Sequence, residues 1–402
     1  MCASKIGSNE SSNPSNRMIL LALAFSRFVS GTPGIIFGLL MIEIGQTFGS
    51  PVGITGQIST ASSILGIIAA IIIGAISVRY DHKSLLIAGI VMYLISALGS
   101  SFAINFGMMM FFYTITGIAI SIIQPMSSTL VAQYFPVDMR PAAIGWLVAG
   151  GSSSYLIGAQ VATLIANVGG WRSVFLWFML PSTIIGLLMT RFFLPTLKRN
   201  PQTSLDSGKY LEGFKSILSH RSAIFCLLGT ALRMTSFQVV LLYGISLMRQ
   251  QFSVSRSYAS VFMTISALCY TLGSLVAGRF VKKFGRKSIT IIAVFLASIF
   301  TIIFTLSASL WLAVATDFLS AWFFGMSVSA GQSMNLEQVP IYRGTMMSLV
   351  RAVGSTGSAF GAGLGGFVIL RYGYEALGLS LGIFGIASSV IINFLTSDPT
   401  SN

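Results

Sequence analysis

The sequence predicts an all-α integral membrane protein: twelve transmembrane helices in two pseudo-symmetric six-helix halves. Three observations predict it. The chain of 402 residues is 54% hydrophobic and only 8% charged, with a mean hydropathy of +0.83. Its apolar residues gather into twelve runs, each close to the roughly 20 residues that cross a bilayer. A short basic turn between two of these runs occurs twice, and Gly278 in the second copy lies 204 residues after Gly74 in the first.

A soluble domain carries roughly 25% charged residues. A chain this poor in charge would aggregate in water, so lipid is its solvent. The net charge of +14 gathers in no basic stripe on a polar domain, which argues against a nucleic-acid partner. Basic cytoplasmic loops explain it better. Cys2, Cys226 and Cys269 form no CxxC pair, and His82 and His220 are far apart, so neither a disulfide nor a metal site is expected. Residues 1–16 are polar, and the apolar run after them is too long for a cleavable signal, so it reads as a span that stays.

The spans fall at 18–43, 55–77, 84–103, 107–132, 142–168 and 173–194 in the first half. In the second they fall at 222–247, 258–278, 288–307, 309–335, 345–369 and 376–396. Residues 1–17 and 397–402 are polar tails. Residues 195–221 read as a linker rich in Lys, Ser and Pro, with a short interfacial helix near Lys209 to Leu218. Gly, Ser and Thr inside the spans let helices approach closely.

Orientation follows from the loops. With the N-terminus inside, seventeen Lys and Arg residues lie on the inner side, and only Arg172, Arg249, Arg256 and Arg371 lie outside. Both termini are therefore expected in the cytoplasm, with the chain in the plasma membrane.

The two basic turns are Gly74-Ala-Ile-Ser-Val-Arg79-Tyr-Asp-His-Lys83 and Gly278-Arg-Phe-Val-Lys282-Lys283-Phe-Gly285-Arg286-Lys287. Gly170-Trp171-Arg172 after span five is matched by Gly373-Tyr374-Glu375 after span eleven. Pro136 to Arg140 is matched by Pro340 to Arg343. With these motifs the chain resembles the major facilitator superfamily over residues 17–396. Its loops between spans two and three, and between eight and nine, resemble the family pattern G-x-x-x-D-R-x-G-R-[RK]. The second copy departs by Lys282 at the Asp position, and the first by Val78 and by Asp81 at the second Gly. The resemblance implies a secondary transporter working by alternating access about a midplane site. It also implies gating roles for Gly74, Arg79, Lys83, Gly278, Lys283, Gly285, Arg286 and Lys287. Proton-coupled drug exporters of the superfamily carry an Arg four residues before a Gly in span four. Here that Gly is Gly117 and the position holds Tyr113. The Gly-Pro-x-x-Gly-Gly element of their span five is also missing near Gly158.

Charge inside a membrane is expensive and marks candidate function. Arg27 and Arg233 lie about 14 and 16 Å into spans one and seven at 1.5 Å per residue. Asp317 lies in span ten and Arg351 in span eleven. In the superfamily, spans one, four, seven and ten line the central cavity. Arg27 and Arg233 are thus expected to face each other, resembling the paired arginines of its organic-phosphate antiporters. The ungapped offset leaves the two positions two residues apart. Guanidinium forks bind carboxylates and phosphates bidentately, and three deep arginines against one aspartate favour an anionic substrate. Asp317 is expected either to couple transport to protons or to pair with Arg351. Its ungapped counterpart is Tyr113. Tyr113, Gln124, Tyr155, Gln160, Gln238, Tyr243 and Gln332 are candidate pocket side chains. Glu43 and Glu337 read as gate or interface groups.

The run Gly361-Ala-Gly363-Leu-Gly365-Gly366 fits G-x-G-x-x-G, but it follows no strand and sits within a span, so nucleotide binding is rejected. No Walker A sequence points to ATP. The sequence thus predicts a non-enzymatic carrier that needs no cofactor, acts as a monomer, and moves a small organic anion against protons or a counter-substrate. A proton-driven exporter of drugs or sugars is the alternative. A membrane enzyme lacks any cluster of His, Cys and acid, and a receptor usually carries a larger soluble part.

Overall fold

A computed structural model describes residues 14–77, 80–136, 140–195 and 207–398. Among them are ten helical stretches long and apolar enough to cross a membrane, two of them 49 and 51 residues long. Each long stretch is interrupted by a glycine with non-helical backbone: Gly170 (φ 74°, ψ −178°) and Gly373 (φ 76°, ψ −176°). A left-handed φ favours glycine because a Cβ would crowd the following carbonyl. Dividing the stretches at these residues leaves twelve rods.

The rods are span one (Pro14–Thr47), two (Val52–Ile76), three (His82–Ser101), four (Phe106–Tyr134), five (140–169) and six (171–193). Spans seven (221–251), eight (Arg256–Phe284), nine (Arg286–Leu306), ten (Leu310–Gln338), eleven (343–372) and twelve (374–395) follow. A short helix, Ser207–Ser219, precedes span seven and buries Ile217. Residues 196–206 of the expected linker lie outside the described residues. The end of the bundle that carries residues 14 and 398 is called proximal, the other end distal.

Small residues set the approach of neighbouring rods. At Gly150 the carbonyl of Ala24 leaves no room for a Cβ, so spans five and one touch backbone to backbone. At Gly357 the carbonyl of Ala231 does the same for spans eleven and seven. In a bilayer such contacts, rather than the hydrophobic effect, hold helices together. Span one also contains Pro33, whose missing N–H frees the carbonyl of Val29. The Thr32 hydroxyl donates to that carbonyl at 2.9 Å and meets the Tyr93 hydroxyl at 3.1 Å.

The duplication extends to single hydrogen bonds. Trp171 Nε1, just after the Gly170 turn, donates to Thr47 at the end of span one at 2.9 Å. Tyr374, just after the Gly373 turn, donates to Gln250 at the end of span seven, also at 2.9 Å. Lys83 donates to the carbonyls of Arg191 and Leu194, where span six ends. Lys287 donates to the carbonyl of Thr396, where span twelve ends, at 2.8 Å. Each lysine meets carbonyls that a helix leaves unpaired and the negative end of its dipole.

Candidate functional site

A cavity of about 390 Å³ lies between the halves. Spans one, four and five supply one wall, and spans seven, eight, ten and eleven the other. Both arginines that reach it are charged donors. Arg27 comes from the middle of span one, half-buried, with Nη1 buried and unpartnered. Arg351 comes from span eleven, exposed to the cavity. The two are near enough for their charges to repel.

Asp317 reaches the same cavity from span ten. It is only 4% exposed, and the Ser266 hydroxyl of span eight hydrogen-bonds it. Among the described residues no ion pair joins Asp317 to Arg351, so the structural pairing open to Asp317 is not made. Gln124 of span four and Tyr155 of span five line the cavity on one side, and Phe237 and Tyr270 on the other. Tyr155 sits within a π turn, Ser154–Gly158, a local widening of the helix that often occurs at functional positions.

Arg233 is not on the cavity wall. It is 2% exposed, donates to the carbonyl of Ser327, and occupies space that Gly331 leaves open on span ten. Tyr270 and Phe237, their rings stacked at 5.5 Å, stand on the wall instead, and Tyr270 lies within electrostatic reach of the Arg233 charge. The facing pair expected from spans one and seven is thus not formed; Arg351 is the second guanidinium at the cavity. The cause is helical phase. Measured from the backbone contacts at Ala24 and Ala231, Arg27 lies three residues on and Arg233 two. One residue turns a side chain by about 100° around a helix with 3.6 residues per turn.

Tyr113 is also off the wall. It is buried against Phe37 and donates to the carbonyl of Pro33 at 2.9 Å. Gln238 is buried and packs against span eleven at Gly361. The sequence does not single out Tyr270, Phe237 and Ser266, because a Tyr, Phe or Ser in a span carries no signal of which way it faces. Their one legible cue is position: Ser266 and Tyr270 are four residues apart, on one face of span eight.

The halves are joined at the distal end. Glu43 of span one accepts two hydrogen bonds from Arg249 (2.9 and 2.6 Å) and two from Arg256 (2.9 and 2.7 Å), both of the other half. Gln160 donates to Ser260 and Thr264, Asn167 to Ser257, and Gln57 to Gly363. Among the described residues every hydrogen bond between the halves lies at this end. The basic turns sit at the other end. Lys83 and Lys287 tie helices within their own halves, as above. Arg286 donates to Ser333 at 3.4 Å and lies 4.0 Å from Glu337, and Lys283 stands over the Phe284 ring at 5.1 Å. Gly285 forms the turn with φ 81°, Gly278 lies in span eight, and Gly74 in span two. Arg79 lies outside the described residues.

Sequence and fold comparisons agree with this architecture. The sequence model of the Major Facilitator Superfamily matches residues 23–247 and 226–402. A probable sugar efflux transporter of Pasteurella multocida (strain Pm70) is 25% identical over 381 residues, 93% of this chain and 91% of that protein. One from Helicobacter pylori (strain ATCC 700392 / 26695) is 23% identical, covering 94% of this chain and 95% of that one. The crystal structure of a D-xylose-proton symporter superimposes with a TM-score of 0.80 at 16% identity, covering 96% of this chain and 99% of that one. That of the nucleoside transporter NupG superimposes at 0.77 and 16%, covering 94% and 100%. The chain is a multi-pass membrane transporter of a small solute, and it belongs to the major facilitator superfamily.

Proposed function

We propose that this transporter carries a small organic anion by alternating access, with Asp317 as the group that couples transport to protons. One observation carries the reading: Arg27 and Arg351 enter one cavity without a carboxylate paired to either among the described residues. Two like charges side by side in a low-dielectric site repel, and an anion between them removes both the repulsion and the unmet donors. Asp317 shares the cavity but is engaged by Ser266, which leaves it available to exchange a proton as substrate comes and goes.

Every hydrogen bond between the halves among the described residues lies at the distal end, and this distal seal is read as one of the two states such a carrier needs. With the basic loops on the cytoplasmic side of the plasma membrane, it is the inward-facing state. The two six-helix halves then rock about the cavity, and a monomer suffices because both walls come from one chain. Arg27, Arg351 and Gln124 hold the substrate in this reading, and the basic turns stiffen each half at its cytoplasmic end while it rocks.

A second reading, export of a neutral sugar, draws support from the names of the relatives. Uptake and efflux in proteoliposomes separate the two. Arg27→Gln is expected to abolish transport of organic anions while the protein still folds. If R27Q leaves anion transport intact, or if neutral sugars move equally well through wild type and R27Q, the anion reading fails and the sugar reading takes its place.

A further inference from the structure

Five of the twelve tyrosines divide into two kinds. Tyr93, Tyr113 and Tyr243 are buried, and each phenol hydroxyl has a partner: Thr32, the carbonyl of Pro33 and the carbonyl of Ala362. Tyr155 and Tyr270 line the cavity, one from each half, and lie within electrostatic reach of each other. Among the described residues neither of their hydroxyls hydrogen-bonds a protein group. The amide of Gln124 opens on the same space. Facing the open cavity, these two hydroxyls are left to water or to a ligand, whereas a buried hydroxyl must find a protein partner. The cavity therefore presents two kinds of unfilled capacity: charged donors at Arg27 and Arg351, and neutral donor–acceptor groups at Tyr155, Tyr270 and Gln124. The Phe237 ring, stacked on Tyr270, adds an apolar face beside them.

From this juxtaposition we infer that the substrate is a polyhydroxylated organic anion, a sugar acid or sugar phosphate, and that Tyr155 and Tyr270 are its specificity-determining residues. The inference rests on the anion reading above. The arginines take the carboxylate or phosphate. The two phenols, which can donate and accept, take hydroxyls from opposite sides, and Phe237 meets the C–H face of the carbon skeleton. A chain-like anion without hydroxyls would satisfy the arginines but would strip water from both phenols without replacing it. Because Tyr155 and Tyr270 belong to different halves, a hydroxylated substrate also bridges the two walls that must move together.

The test measures ligand-induced thermal stabilisation of the purified full-length protein, with dissociation constants from the concentration dependence. The probes are D-gluconate, hexanoate, D-glucose 6-phosphate and D-glucose. D-gluconate is expected to bind at least about tenfold more tightly than hexanoate, which has the same charge and chain length. Tyr155→Phe and Tyr270→Phe are each expected to weaken D-gluconate about three- to tenfold and to leave hexanoate unchanged. Unchanged melting temperatures of the unliganded variants show that they fold. D-glucose 6-phosphate against D-gluconate distinguishes a phosphate head from a carboxylate. Equal binding of hexanoate and D-gluconate, or equal loss of both in the Phe variants, overturns the inference and leaves the anion reading standing. D-glucose binding as tightly as D-gluconate and unaffected by R27Q sinks the anion reading itself. Stabilisation by none of the four probes rejects the polyhydroxylated class.

Discussion

Arg27 in span one and Arg233 in span seven occupy similar depths in the two halves, yet only Arg27 meets the cavity. Arg27 is half-buried on the cavity wall with an unpartnered Nη1, whereas Arg233 is fully buried off the wall, donating to the carbonyl of Ser327 and leaving its Nε unpartnered. The scaffolds around them match closely. Each half turns its last hairpin on a glycine of φ near +75°. Each ties the next aromatic residue to the end of its first span, and caps its last span with a lysine. Duplication has preserved the parts that build a half. One residue of helical phase has been enough to give the equivalent arginines different surroundings.

The largest expected effect breaks this comparison at its centre. Arg27→Gln should lower organic-anion transport about a hundredfold or more, since truncating one side of a desolvated charge contact costs about 2–5 kcal/mol. It should leave the resting melting temperature nearly unchanged. Arg233→Met should do the reverse: it removes a buried cation that has no carboxylate partner among the described residues, so folding stability should hold or rise while transport falls less than tenfold. Radiotracer uptake and thermal unfolding of both variants decide it, and equal transport losses would mean that Arg233 joins the site in another state.

A smaller effect concerns the distal seal. Glu43→Gln leaves Arg249 and Arg256 facing each other without their shared carboxylate. The population should shift at least about tenfold toward the distal-open state, which needs about 1.4 kcal/mol of differential stability. Spin labels at Gln46 and Gln251, both exposed at that end, should report a longer distance in E43Q. An unchanged distance distribution removes the seal from the mechanism.

Lys83→Met and Lys287→Met sharpen the equivalence of the halves. Each loses charge-assisted bonds to helix-end carbonyls, worth about 1.5–3 kcal/mol when charged groups are involved. The two variants should unfold at similarly reduced temperatures. Among the described residues the hydrogen bonds of each lysine stay within its own half, so the Gln46–Gln251 distance should not respond. The smallest effect is at the hairpin glycines. Gly170→Ala and Gly373→Ala meet no neighbouring atom within 4 Å, so only the left-handed φ is penalised, at about 1–2 kcal/mol. Chemical unfolding should show equal losses. Unequal ones would mean that the repeat stops at sequence likeness.

Much of the fold is legible in the sequence. The apolar runs, the basic turns and the Gly170 and Gly373 motifs gave twelve spans and a duplication, because the bilayer fixes helix length and a left-handed turn asks for glycine. Arg27, Asp317, Arg351 and Gln124 were legible as deep polar residues, and the structure brings all four to one cavity. Arg233, Tyr113 and Gln238 were equally deep, yet they face other helices. Lys83 and Lys287 were legible as a pair, but not as caps of spans six and twelve more than a hundred residues away.

The sequence by itself determined what lipid demands of every residue: how long each helix is, and which side chains are costly enough to mean something. The tertiary structure alone decided which of those side chains share a space. A buried charge announces its expense in one dimension, but its direction depends on helical phase and on the small residues that bring two backbones together. Those are properties of neighbours distant in sequence, and only packing brings them into contact.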